Sequence, residues 1–365
     1  MQNSMMRAGA ICGIPNDIRI LSVAVPDIGP DDVIVNPKRV GLCMTNVKMA
    51  RYGYYAIDQR GLPFIEGHEV AGEVVAVGRN VSEYRTGDRV VVYVYVPCHN
   101  CHFCRKGHPT MCENFILGGI YPGGWAERVK VSRADDFSRR LHKIADGISY
   151  DDAAMLEPLS CVVHSIDRAG PRLGEKVIVI GAGFMGLLHS ALLARYPLDL
   201  NLSVDLSEFR LKYARSVGAS RVLRNESEEQ VIAQVMEITG GYGADLVFEV
   251  TGSVQAYDLA VKLLGKGGRA VFFGGTPSAD PMRVNPRALH YDMLQLIGVQ
   301  SAEDQHVARA MTLINSGSIG FQDLITHRFG MEQLDEAILF PQDAGKREQM
   351  VKAMVHGFDS EIVAG

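Results

Sequence analysis

The run PCHNCHFCRKGHPTMC sets Cys98, Cys101, Cys104 and Cys112 in the pattern C-x2-C-x2-C-x7-C. Four thiolates this close along the chain can complete a tetrahedron around one zinc ion and leave no position open. A closed site is structural: its metal folds a lobe rather than performing chemistry. A bacterial-type iron–sulfur run has a shorter last gap and a proline after its fourth cysteine, whereas Glu113 follows Cys112 here. Disulfides fit poorly, because the rest of the chain reads as intracellular.

A second set is scattered. Cys43 stands in VGLCMT, His68 and Glu69 in LPFIEGHEVAGEVVAVG, and Glu157 in MLEPLS. One thiol, one imidazole and one carboxylate are what an open catalytic zinc needs, with a position left for water or a substrate oxygen. Each alone has a plainer role: a small buried apolar residue for Cys43, a satisfied polar side chain for His68, a solvated charge for either glutamate. Their joint presence beside a separate four-cysteine lobe points to a catalytic metal.

The third constellation binds a nucleotide. KVIVIGAGFMGLLHSALLARY reads as an apolar strand, a glycine turn and an amphipathic helix. Gly181 permits the turn, Gly183 lets a pyrophosphate approach the backbone, and Gly186 lets helix pack on strand. Phe184 and Met185, inside the same motif, open the helix whose free N–H groups face the phosphates. About 20 residues further, LNLSVD ends on Asp205, where a ribose-binding carboxylate falls. A carboxylate there accepts from the ribose hydroxyls and repels a 2′-phosphate, so NAD is expected over NADP. Arg210 is the residue that could reach a phosphate instead, although the pattern SEFRLKYARSVGA sets it on an exposed helix face. Thr251, Gly274 and Gly275 end later strands, at the edge where ligands of open parallel sheets lie.

The elements that must hold these groups follow from periodicity. Short Gly- and Pro-punctuated strands fill the first third, as in an antiparallel barrel. From about Gly170, strands alternate with helices, the sign of a doubly wound parallel sheet. LQLIGVQS reads as its last edge strand, and the tail carries helix HVARAMTLINSG and then strand, turn and helix in LITHRFGMEQLDEAI. The 365 residues suffice for two to three domains. A net charge of −5 gives no basic field for nucleic acid. The N-terminal stretch lacks the apolar core of a signal peptide, and no apolar run is long enough to span a bilayer. The expected compartment is the cytoplasm, with no membrane or nucleic-acid partner.

The chain resembles the zinc-dependent medium-chain dehydrogenases, in their polyol and threonine dehydrogenase branch. VGLCMT, LPFIEGHEVAGEVVAVG, the four-cysteine lobe, GGWAERV, MLEPLS, VIVIGAGFMG, DLVFEVTGS and LITHRF carry the resemblance in the family's order. It implies an α/β chain. Residues 1–162 and 302–365 would form a GroES-like antiparallel β-barrel with the zinc lobe at about 95–115, and 163–301 a Rossmann domain. It implies two zincs per subunit and a homodimer or homotetramer. Cys43, His68 and Glu157 would surround the catalytic zinc, with Glu69 exchanging as ligand or supporting it, and Thr45 would pass the substrate proton on. Two positions depart from the family. Asn46 stands where an aspartate usually supports the metal histidine, and Lys48 where some members end the proton relay with a histidine. Tyr52, Tyr54, Tyr55, Tyr121 and Trp125 are either walls of the substrate cleft or ordinary packing residues. The expected activity is oxidation of a secondary alcohol or polyol by hydride transfer. The alternatives are a binding protein that keeps the fold, or a reductase or non-redox enzyme on the same scaffold.

Overall fold

A computed structural model describes residues 4–53, 57, 60–115, 120–132, 136–276 and 279–359. The chain divides into two compact units, one of Met1–Ser160 with Ala302–Gly365, the other of Cys161–Ser301.

The first unit opens with β1 (Met5–Gly13), paired antiparallel to β2 (Asp17–Ala24). Its larger sheet uses β3 (Asp32–Leu42), β4 (Glu69–Val77), β5 (Arg89–Tyr93), β6 (Val129–Ser132) and β7 (Leu141–Lys143). β3 is the hub, pairing antiparallel with β4 and with β6. Its register against β4 shifts between Pro37 and Arg39, where proline has no N–H to give the ladder. The apolar faces of these strands, with Trp125, Phe137 and Leu334, make one buried cluster. Such burial stabilises by roughly 25 cal/mol per Å² of apolar surface, so the sheet can carry polar residues at one end without losing its fold.

The second unit holds β8 (Lys176–Ile180), β9 (Leu200–Asp205), β10 (Arg221–Arg224), β11 (Ala244–Glu249), β12 (Leu264–Phe272) and β13 (Gln295–Gly298). All pairs are parallel, in the order β10-β9-β8-β11-β12-β13. The order reverses between β8 and β11, the switch point at which such sheets bind dinucleotides. Strand β8 is almost wholly buried, as a strand covered on both faces must be. Ser207, Ser227 and Ser253 each cap the next helix by accepting the N–H three residues on. These caps fix where each strand-to-helix loop ends.

The tail returns to the first unit as β14 (Ile325–Gly330) and β15 (Lys352–His356). They pair parallel, and β15 joins β3, giving seven strands in which every other pair is antiparallel. Among the described residues no helix is long and apolar enough to cross a membrane.

Candidate metal centres and dinucleotide site

The ligand atoms of Cys43, His68 and Glu69 lie within 4.8 Å of one another. Three local features bring them there. Cys43 ends the β3 excursion and caps the helix Met44–Tyr52: its Sγ accepts from Thr45 N at 3.4 Å. Asn46 Oδ1 in turn accepts from Cys43 N at 2.7 Å, closing the box. Glu69 starts β4 opposite Gly41 of β3, and a Cβ at Gly41 would stand 1.8 Å from Glu69 Oε2. Only glycine leaves room for that carboxylate. Between Glu66 and His68, Gly67 takes φ +98°, a region that side chains resist, so the loop turns both neighbours toward one spot.

A second loop braces this turn. Trp125 N donates to Glu66 O and Gly124 N to Gly67 O, both at 2.9 Å. Cβ atoms at Gly123 and Gly124 would meet Ile65 O at 2.2 Å and Gly67 O at 2.4 Å. Trp125 is fully buried in the core and buttresses the loop through its backbone. Tyr121 is exposed and lies 5.9 Å from Lys130 Nζ, and Tyr52 is exposed as well. Tyr54 and Tyr55 lie outside the described residues.

The centre is charged and nearly dry. His68 is 5% exposed and Glu69 2%. Tyr95 packs 5.6 Å from the His68 ring and stacks on Phe115. Burial pushes the His68 imidazole down, but Glu66 and Cys43 outweigh it and carry it well above its usual value. Two further groups stand beside the trio. Glu66 Oε1 stands 2.7 Å from His68 Nδ1. From β15, the buried Lys352 Nζ stands 2.5 Å from Glu69 Oε2 and donates to Leu42 O. That ion pair is the contact of Glu69 Oε2, which is buried.

These residues fit a zinc ion. A soft sulfur, an imidazole nitrogen and a carboxylate oxygen are its usual donors. The three donor atoms lie within 4.8 Å of one another, a spacing that one ion can bridge. Glu157, in the first turn of the helix Leu156–Ala169, is not one of the clustered trio. Thr45 and Lys48 are half-buried on the helix that Cys43 caps.

In the lobe, the sulfurs of Cys98, Cys101, Cys104 and Cys112 also gather within 4.8 Å. All seven cysteines of the chain are free, so no disulfide competes. Backbone N–H groups of Cys98, Cys101 and Asn114 point at the sulfurs at 3.2 to 3.3 Å. Such donors hold Cys101 down to about 6, while burial and its neighbours push Cys104 up to about 12. Four sulfurs this close ionise together only around a cation, which fits structural zinc.

In the second unit the glycine motif has the expected form. Gly181 takes φ +104°, and a Cβ there would meet Thr251 Cγ2 at 2.7 Å, so the loops leaving β8 and β11 touch. A Cβ at Gly186 would stand 1.8 Å from Gly181 O, which is why helix packs on strand only without one. Gly183 caps the helix Phe184–Leu193, with Met185 in its first turn. Asp205 ends β9, and its two oxygens accept from Ala182 N at 2.6 Å and Ser207 N at 2.8 Å. It therefore ties the glycine loop to the next helix. The cap of that helix is Ser207. Arg210 is half-buried, not on the exposed face that the helical pattern suggested. Gly252 meets Gly274 and Gly275 closely, and Thr251 Oγ1 donates to the buried Glu249 at 2.5 Å.

Comparison with known proteins agrees with this geometry. Residues 29–143 match the alcohol dehydrogenase GroES-like domain, and 202–316 the zinc-binding dehydrogenase domain. The chain is 30% identical to L-threonine 3-dehydrogenase of Pyrococcus horikoshii over 338 residues, 91% of this chain and 94% of that one. It is 28% identical to sorbitol dehydrogenase of Bacillus subtilis over 327 residues, 88% of this chain and 90% of that one. Among solved structures, a zinc-binding dehydrogenase from Sinorhizobium meliloti bound to NADP superposes with a TM-score of 0.85 at 26% identity, covering 97% and 99% of the two chains.

Proposed function

The chain belongs to the zinc-binding dehydrogenases of the alcohol dehydrogenase type, and from that premise we propose its substrate, cofactor and site residues. It is an oxidoreductase. Its substrate is a secondary alcohol whose neighbouring carbon bears a hydroxyl or an amino group, and its hydride acceptor is NAD. Sorbitol and threonine, for which two relatives are named, both contain that unit.

The observation that carries this reading is the convergence of Cys43, His68 and Glu69. Bound zinc supplies Lewis acidity that lowers the pKa of the substrate hydroxyl, and bound dinucleotide supplies the hydride acceptor. The chain supplies the rest. Cys43 and His68 hold the metal, with Glu69 the carboxylate best placed to join them and Glu157 the alternative. Thr45 Oγ1 accepts a hydrogen bond from the substrate hydroxyl and relays its proton toward solvent. Tyr95 and Phe115 keep water from the His68 ring. The N-terminus of Phe184–Leu193 takes the pyrophosphate, and Thr251, Gly274 and Gly275 line the strand ends beside it. Asp205 accepts from the adenosine ribose, which supports NAD over NADP; Arg210 is the residue that could reverse this.

The outer edge of β13 ends the six-stranded sheet and supports pairing with a second copy of the chain. Seven free thiols support a reducing compartment, the cytoplasm. The test is a panel of sorbitol, xylitol, 2,3-butanediol, threonine and ethanol, each with NAD and with NADP, read by near-ultraviolet absorbance. The proposal predicts turnover of one or more of the first four with NAD and little with ethanol. No reduced cofactor from any of them contradicts the substrate class, and a preference for NADP contradicts the role of Asp205.

A further inference from the structure

We propose that Glu66 is the positioning carboxylate of the metal histidine, and that Asn46 is the amide this arrangement requires. The inference rests on the reading of His68 as a zinc ligand.

The geometry is complete. Glu66, His68 and Asn46 are 7%, 5% and 0% exposed. A carboxylate at that depth is costly unless it is paired, and both oxygens of Glu66 have partners. Glu66 Oε1 lies 2.7 Å from His68 Nδ1. Its Oε2 accepts from Asn46 Nδ2 and from Gly67 N. Nδ1–H is therefore the tautomer the site selects, and the lone pair falls on Nε2, the nitrogen left for a metal.

Asn46 uses both ends of its amide: Oδ1 accepts from Cys43 N while Nδ2 donates to Glu66. Its Nδ2 also lies 3.4 Å from His68 Nδ1. An aspartate at position 46 could still hold Cys43 N, but it has no donor for Glu66 and would set two buried carboxylates against each other. One acid serves the imidazole, and here it comes from the loop instead of the helix. The amide on the helix makes that placement possible. The departure at position 46 is thus a relocation of the carboxylate, not its loss.

The experiment uses the full zinc-loaded chain. It measures zinc per chain, the release of each zinc to a competing chelator, and the visible spectrum after cobalt exchange. Glu66→Gln is expected to lose its second zinc about 10- to 100-fold more readily and to shift the cobalt bands, while the four-cysteine zinc is unchanged. Asn46→Asp is expected to weaken the same zinc. The double variant Asn46→Asp/Glu66→Gln returns one acid and one amide to the site, so retention and spectrum should recover toward wild type. That rescue would not occur if Glu66 were merely structural, and it keeps the test decisive if Glu66→Gln alone fails to fold. Wild-type retention and spectrum in Glu66→Gln overturn the proposal, as does a double variant worse than either single one. A wild-type chain that binds only the four-cysteine zinc overturns the underlying reading, and the proposal with it.

Discussion

The four-cysteine lobe and the Cys43–His68–Glu69 trio each gather their donor atoms within 4.8 Å, but they are built in opposite ways. The lobe draws four like ligands from one short run, with Cys98 exposed and backbone N–H groups aimed at the sulfurs. The trio draws three unlike donor groups from a helix cap, a left-handed turn and a strand start. His68 and Glu69 are buried and Cys43 half-buried, and Glu66, Asn46 and Lys352 stand beside them. A structural metal needs only ligands close in sequence. A reactive one needs ligands fixed by the fold, because its geometry and charge decide the chemistry.

The largest expected effect separates the two sites by function. Cys43→Ser or His68→Ala should lower turnover by roughly 1,000-fold or more while melting changes little. Turnover near wild type would dissolve the distinction. Cys101→Ser should do the reverse. It should lower thermal stability by several kcal/mol through loss of the lobe, as expected where metal binding is folding energy. An unchanged melting temperature would show that the lobe folds without its metal.

A buried acid without metal chemistry sharpens the contrast. Burial pushes the Glu249 carboxyl up to about 7 from an ordinary 4.5, against the N–H and hydroxyl donors of Thr251 and Gly252. Its pKa is raised in the folded chain. Its share of stability is therefore present below about 4.5 and is lost as pH rises through about 7, a swing of about 3 kcal/mol. Glu249→Gln should gain on wild type by that amount between pH 4.5 and 8, with zinc content unaltered. Denaturant melts across that window check it, and a constant difference between the two proteins would contradict it. The smallest effect tests the backbone under the trio. Gly67→Ala, at φ +98° and 2.8 Å from Trp125, should cost about 2 kcal/mol and loosen the second zinc only. Equal loosening of both zincs would contradict it.

The same division decides what could be read in the sequence. The lobe and the glycine motif are contiguous, so spacing alone conveys their chemistry. Cys43 and His68 were legible together, with Glu157 expected as the third member and Glu69 in exchange or support; in the fold it is the carboxylate of Glu69 that gathers with the other two. Glu66 escaped notice although it precedes His68 by two residues. Its signal was the acid in IEGHE read together with the amide at Asn46, a pairing that only the Gly67 turn makes visible. Lys352 had no signal at all, because β15 reaches β3 from the far end of the chain. Arg210 failed for another reason: helical periodicity gives the face of a residue but not what packs over it.

Zinc stoichiometry tests the account most directly. Metal analysis of the purified chain should find two zincs per subunit in wild type, one in Cys43→Ser, and that one held by Cys98, Cys101, Cys104 and Cys112. A single zinc in wild type, or two in Cys43→Ser, would contradict it.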